Sequence, residues 1–463
     1  LTFIREMPSK FSAPLSLRPQ SRPFRLCCFS IHYARFVLSI PPSPAASDAE
    51  LHIVREEIRR RRTFAIISHP DAGKTTLTEK LLLYSGAVRS AGAVRPKKGG
   101  GHATSDWMAM EQARGISITS TVLQFEYDGC LFNLLDTPGH QDFSEDTYRT
   151  LTAVDSAVMV LDGAKGIGAQ TKKLFEVCRL RKTPILTFIN KMDQPGLDPL
   201  ELLDEIEKVL GISACPINWP VGYGPQFRGV ADLASRSLLL YRGGGGDTIA
   251  DTESIPIDSA EFVEAVGEAQ AAKTHEELAL LDGVTPDFRL DAFRAGEQTP
   301  VFFGSALRNF GVDRFLNTLA DLAPSPQPRM SGDTAVDPET GGFSAFVFKI
   351  QGNMDPNHRD NMAVLRICSG RFQRDMLVQH ARLNRKVRMT RLHRLFARDR
   401  ETVDEAYAGD VVGVVNPGLF MIGDTLSSRE GIEFERMPSF EPEVCAGRRK
   451  EHISRTHPCP KGI

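Results

Sequence analysis

The chain's 463 residues, 41% hydrophobic and 25% charged, suffice for roughly two to three domains with separate cores. A net charge of -2 excludes a globally basic nucleic-acid binder, so any contact with RNA has to run through local patches. No apolar run approaches the ~20 residues of a membrane-spanning helix, and the eight cysteines form neither a CxxC pair nor a regular framework. The chain is read as soluble and adapted to a reducing compartment, with no membrane and no DNA as partner.

From Met7 to Ser47 there is no Asp or Glu, whereas Lys10, Arg18, Arg22, Arg25 and Arg35 are basic and serine and proline recur. An acid-free, Arg- and Ser-rich leader has the composition of an organelle transit peptide; a disordered tail or translated non-coding sequence is the alternative. Residues 1–50 are therefore expected outside the fold. The expected location is organellar, with the plastid stroma ahead of the mitochondrial matrix because no amphipathic Arg-bearing helix stands out. It is cytoplasmic if the leader does not target.

A charged segment, Val54–Ile58, reads as a helix, and Arg59–Arg62 as a solvated face. Apolar runs at Phe64–Ile67, Leu131–Leu135, Ala157–Leu161, Ile185–Ile189 and Val301–Phe303 alternate with helical patterns such as Leu77, Leu81 and Tyr84 ahead of Gly86. That alternation predicts an α/β, doubly wound parallel sheet over 51–325, with an insertion at about 215–293. A Pro-rich break, Ala323–Pro328, opens a linker (326–340). Beyond it, short runs at Phe343–Ile350, Met362–Cys368, Leu377–Leu383 and Val411–Val415, punctuated by Gly370, Gly409, Gly418 and Gly423, predict a small antiparallel β-barrel over 341–432.

The first apolar run leads into Ser68, His69, Pro70, Asp71, Ala72, Gly73, Lys74, Thr75 and Thr76, a strand–loop–helix phosphate loop with Gly-Lys-Thr in place. Its backbone N–H groups converge on phosphate oxygens. Lys74 is placed to neutralise the β- and γ-phosphates and the Thr75 hydroxyl to ligate Mg²⁺. Ser68 stands where the general pattern has its first glycine.

The run Leu131–Leu135 delivers Asp136, Thr137, Pro138, Gly139 and His140. Asp136 can hold the Mg²⁺ shell through water, the Gly139 N–H can bond a γ-phosphate, and His140 is placed to orient an attacking water. A further run, Ile185–Ile189, delivers Asn190, Lys191, Met192 and Asp193. The Asp193 carboxylate can accept from guanine N1–H and the 2-amino group, a pair that adenine lacks, so an adenine would strand its charge. Asn190 can bond the purine edge and the Lys191 stem can cover the ring. After the last core run, Ser305 and Ala306 are positioned to give the base carbonyl a backbone N–H.

Together with Ser105–Thr119, which contains Trp107 and Arg114-Gly-Ile-Ser117, these segments resemble the GTPase core of the translational GTPases. Ser117 is then the switch hydroxyl that caps Mg²⁺. Within that group the chain is most similar to the bacterial-type peptide chain release factor 3 family, elongation factor G-like over two domains. The similarity rests on Arg62–Thr76, Ser105–Trp107, Arg114–Ile118, Asp142–Val154, Thr183–Phe188, Pro216–Pro220 and Phe346–Pro356. It implies a monomeric GTPase that binds GTP/GDP and Mg²⁺. Its partners would be a bacterial-type ribosome, through rRNA and ribosomal proteins, and the class-I release factors it drives off after peptide release. Elongation-factor-like activity is the alternative. Residues 433–463 depart from the pattern after Glu443 and are expected to be an aberrant or truncated tail, which leaves open a GTP-binding protein unable to complete ribosomal coupling. Cys445, His452, His457 and Cys459 have the spacing of no ordinary zinc finger.

Overall fold

The computed structural model describes residues 48–88, 120–139, 144–242, 249, 251–340, 342–352, 361–396, 399–416 and 418–435. Helix α1 (Asp48–Arg59) leads directly into strand β1 (Arg61–Ser68), and helix α2 (Lys74–Tyr84) follows the phosphate loop. Strands β2 (Thr121–Tyr127), β3 (Cys130–Asp136), β4 (Ser156–Asp162), β5 (Ile185–Asn190) and β6 (Ser213–Pro216) come next. After β7 (Asn218–Val221), β8 (Gly229–Asp232), β9 (Ser237–Arg242) and β10 (Asp251–Pro256), strand β11 (Gln298–Phe303) completes the main sheet.

That sheet has seven strands in the order β2-β3-β1-β4-β5-β11-β6, parallel except for β2. Its centre reads as continuous apolar runs because helices cover both faces; every residue of β4, β5 and β11 is buried. The helices Ala169–Leu180 and Val312–Leu322 each bury an apolar stripe in the two cores that flank the sheet. Strand β2 joins β3 through Asp128 and Gly129, both at positive φ (46° and 71°), the backbone of a two-residue hairpin turn.

The long insertion is folded. Strands β7 to β10 form a four-stranded sheet in the order β10-β9-β8-β7, covered by the helix Glu268–Val284. Trp219 on β7 is fully buried, and its indole N–H donates to Glu277 Oε2 at 2.9 Å. Gly243–Gly246, read from sequence as a flexible turn, lies outside the described residues.

Beyond the linker an eight-stranded sheet curls into the barrel, its centre formed by Ser344–Gln351 paired antiparallel with Asn361–Ser369. Gly370, Gly409, Gly418 and Gly423 all adopt positive φ, as turns between short strands require. Buried ion pairs fix the barrel to the nucleotide domain. Arg366, 1% exposed, bonds Asp155, Thr63 Oγ1 and the Gly409 carbonyl; Arg61 Nε donates to Asp410 Oδ1 at 2.8 Å.

Candidate guanine-nucleotide site

Four of the segments singled out in the sequence leave the C-terminal ends of β1, β3, β5 and β11, all on one edge of the sheet. Register makes them neighbours: Ile66 lies beside Asp136, Asp162 beside Asn190, and Phe303 beside Ile189. The strand order turns back on itself beside β1, and such a crevice at the carboxyl edge is where open α/β sheets bind ligands.

The phosphate loop takes its shape from two positive φ angles, Asp71 at 65° and Gly73 at 92°. Gly73 caps α2, and a Cβ there would stand 2.2 Å from Asn190 Nδ2. Ser68 ends β1 buried, and the His69 ring rests on Gly168, where a Cβ would come within 2.7 Å of its Nδ1. Lys74 opens α2 and Thr75 follows it, half-buried. Lys74 Nζ donates to Asp136 Oδ1 at 2.6 Å, with the two side chains 7% and 2% exposed. The Thr137 hydroxyl donates to the Ile66 carbonyl at 2.6 Å and so ties the segment after β3 to β1. Gly139 lies over Pro70, where a Cβ would stand at 3.5 Å, an ordinary contact. The protein's own atoms therefore tolerate a side chain there, and any need for glycine falls on the ligand side.

Asn190 ties the site together. Its Nδ2 donates to the Ala72 carbonyl at 2.9 Å and its Oδ1 accepts from the Ala306 N–H at 2.9 Å. One Nδ2 hydrogen is left over for a purine acceptor. The Lys191 backbone is left-handed (φ 69°), and its Nζ bridges the Asp71 carbonyl and Asp162 Oδ2, the latter at 2.8 Å. Met192 is buried, its N–H bonded to the Gly304 carbonyl. Asp193, 7% exposed, lies with Oδ2 3.3 Å from Arg308 Nε. The N–H groups of Ser305 and Ala306 already have protein acceptors, the Phe310 carbonyl and Asn190 Oδ1. The loop thus spends on its own shape the donors that the sequence reading offered to the base.

His140, Ser117 and Trp107 lie outside the described residues. For a metal ion the donors are oxygens throughout: the Thr75 hydroxyl and Asp136, whose Oδ2 is buried without a hydrogen-bond partner. A buried carboxylate oxygen with spare lone pairs fits Mg²⁺, which binds through few protein ligands and retains water.

Sequence reasoning missed Arg308, Asp162 and Lys349. Lys349, on the barrel strand Ser344–Gln351, donates to the Ser120 carbonyl at 2.6 Å and to Asp146 Oδ2 at 3.2 Å. It thereby holds the residue that follows the Ser105–Thr119 segment and the helix that follows His140. Arg308 stands one residue past Ser-Ala-Leu, a signal that was present; Lys349 becomes visible only once the barrel is docked.

A phosphate loop between β1 and α2, an acidic strand end beside it and an Asn-Lys-Met-Asp strand end on the same edge define a P-loop GTPase of the translation-factor class. Residues 59–325 match the family model for the Elongation factor Tu GTP binding domain, and residues 342–429 that for Elongation factor G domain 2. A crystal structure of a protein from Thermus thermophilus superposes with a TM-score of 0.66 at 26% identity, covering 83% of this chain and 57% of that one. Proteins named Peptide chain release factor 3 are similar over most of the length. That of Symbiobacterium thermophilum is 55% identical over 409 residues, 88% of this chain and 78% of that protein. That of Gloeobacter violaceus is 56% identical over 88% of this chain and 77% of its own. That of Synechococcus elongatus is 51% identical over 92% and 77%. The chain belongs to the peptide chain release factor 3 family and is a translational GTPase.

Proposed function

We propose that this GTPase acts on a bacterial-type ribosome and promotes dissociation of class-I peptide chain release factors during translation termination. The observation that supports this is the identity of 51–56% to release factor 3 proteins, sustained over 88–92% of the chain.

On this reading Lys74 exchanges Asp136 for the β- and γ-phosphates while the phosphate-loop N–H groups hold their oxygens. Thr75, Ser117 and Asp136, the last through water, would hold Mg²⁺, which when bound offsets charge on the phosphates. The Gly139 N–H bonds the γ-phosphate, and His140 orients the attacking water and stabilises transition-state charge without having to abstract a proton. Asp193 reads guanine N1–H and the 2-amino group, the spare Asn190 hydrogen meets the purine edge, and the Lys191 stem covers the ring. The Ser305–Ala306 loop approaches the base carbonyl.

The setting is organellar, with the plastid favoured; the acid-free leader and the similarity to cyanobacterial proteins support it. Import of a reporter carrying residues 1–60 into isolated chloroplasts tests this, and exclusion from both chloroplasts and mitochondria contradicts it.

The termination role is tested with a labelled class-I release factor bound to ribosomes after peptide release. Adding the chain with GTP is expected to speed its departure at least several-fold over GTP alone. Unchanged departure alongside ribosome-stimulated GTP turnover would leave a GTPase with another task.

A further inference from the structure

A cavity of about 360 Å³ lies where the nucleotide domain, the linker and the barrel meet. Its walls include Thr152, Val154 and Asp155 before β4, Thr183 and Pro184 before β5, and Arg294 before β11. It therefore sits at the N-terminal edge of the parallel sheet, opposite the edge that carries the phosphate loop. None of its lining residues belongs to the segments of the guanine-nucleotide site.

The charged side chains on the cavity wall are Arg181, Lys182, Arg294 and Arg329, against Asp155 and Glu435. Asp155 is already paired with Arg366. Among the described residues none of the four cations has a carboxylate within ion-pair distance. Arg329 is held rigidly: its Nη1 donates to the Thr152 carbonyl at 2.6 Å, and its guanidinium lies 4.9 Å over the Phe346 ring. Its Nε and Nη2 have no partner among the described residues.

Two of the cations, Arg329 inside and the exposed Arg181 at the rim, sit in surroundings that disfavour their charge. Burial first, then the charge of Arg329, holds Arg181 below the usual arginine range, with Glu435 opposing. Burial lowers Arg329 as well, Arg366 adds to this, and Cys368 and Asp155 oppose it. Like charges gathered around one cavity cost free energy until an anion offsets them.

We propose that this cavity is an anion site for a compact oligophosphate of the diphosphate class. Arg329 would serve as its fixed floor, with Arg181, Lys182 and Arg294 closing on the phosphate oxygens. Planar guanidinium forks bind phosphate through paired N–H groups, and three of them with one lysine match a multiply charged oxyanion better than a carboxylate. The volume is at the small end for ligand pockets, which suits a diphosphate and leaves little room for a base and ribose. Its walls come from both domains, so a bound anion would tie the barrel to the nucleotide domain.

The test uses the full chain loaded with GDP and freed of unbound nucleotide, so that the nucleotide site is filled, and inorganic pyrophosphate as titrant without added divalent cation. Calorimetry is expected to show one saturable pyrophosphate per chain. Arg294→Ala and Lys182→Ala, both on exposed residues, are each expected to weaken it by about tenfold or more while GDP affinity stays unchanged. ADP serves as a second titrant: competition with pyrophosphate shows that a nucleotide's terminal diphosphate can enter, and no competition restricts the site to the free anion. Absent saturable binding, affinity in both variants unchanged from the wild type, or the same heat from chloride at matched ionic strength would overturn the proposal.

Discussion

At the scale of single residues the nucleotide site depends on a few side chains that serve its shape before they serve a ligand. Asn190 holds the phosphate loop by Ala72 and the Ser305–Ala306 loop by the Ala306 N–H, both at 2.9 Å. Asn190→Ala orphans two buried backbone groups and is expected to cost about 1–3 kcal/mol of stability and to weaken GDP binding. Thermal unfolding together with GDP titration checks both, and a variant unaltered in either would remove Asn190 from this role. Gly73→Ala meets a stricter barrier. The position is left-handed, and the new Cβ would lie 2.2 Å from an Asn190 Nδ2 that is pinned by its own bonds. Loss of GDP binding with an intact circular dichroism spectrum is expected; retained affinity would contradict the geometry. His140→Ala is expected to leave GTP affinity nearly intact and to remove most ribosome-stimulated turnover. Undiminished stimulated turnover in single-turnover kinetics would take His140 out of the mechanism.

At the scale of elements, strands β1, β3, β4, β5 and β11 and helix α2 were legible as short apolar runs and a helical face. They are buried on both sides, and a run bounded by a motif leaves little choice of period. Strand β2 was not read, although Asp128-Gly129 between two apolar runs marks its hairpin; Gln124 and Glu126 interrupt its apolar run, whereas that of β4 is unbroken from Ala157 to Leu161. The sheet β7 to β10 escaped for another reason. Strands of four to six residues carry too few positions to show a period, and Trp219 becomes interpretable only with Glu277 beside it, 58 residues away. The phosphate-loop, Asp136 and Asn190–Asp193 segments were legible as local motifs, whereas Arg308, Asp162 and Lys349 act through pairings between distant parts of the chain. The docking of the barrel is of that second kind. Arg366→Met strands the Asp155 carboxylate in a buried interface and is expected to lower stability by about 3–5 kcal/mol. Arg366→Met combined with Asp155→Leu is expected to recover part of that loss. Denaturant midpoints of the two single variants and the double variant decide it, and strict additivity would mean that the pair is not coupled.

At the scale of the whole molecule the barrel carries an acid sensitivity. His380 is buried, its Nε2 3.0 Å from Asp424 Oδ2 and its ring parallel to Phe420. Burial holds His380 below its ordinary value of 6.5 although Asp424 opposes this; burial, reinforced by Arg400 and Arg391, does the same to His393. As pH falls below 6.5 the unfolded chain takes up protons that these two imidazoles refuse in the fold, so stability drops there and gains nothing above it. Asp424 is raised by burial, but bonds from Arg382 and the Met421 N–H leave it below the usual carboxylate range. Its contribution is present above the unfolded carboxylate value and is lost as pH falls through its folded one. The melting temperature is therefore expected to decline on acidification below pH 6.5, and less steeply in His393→Gln. A melting temperature that rose between pH 7 and 5.5 would reverse the assignment.

The central claim is that the carboxyl edge of the main sheet forms a site selective for guanine, with Asp193 as its reader. Competition against labelled GDP on the wild-type chain and on Asp193→Asn tests it most directly. Unlabelled GTP is expected to displace the label from the wild type at about a thousandfold lower concentration than ATP, a gap set by depriving the Asp193 carboxylate of the two guanine N–H donors that adenine lacks. That gap is expected to shrink in Asp193→Asn. Displacement by ATP at a concentration similar to GTP on the wild-type chain would contradict the account.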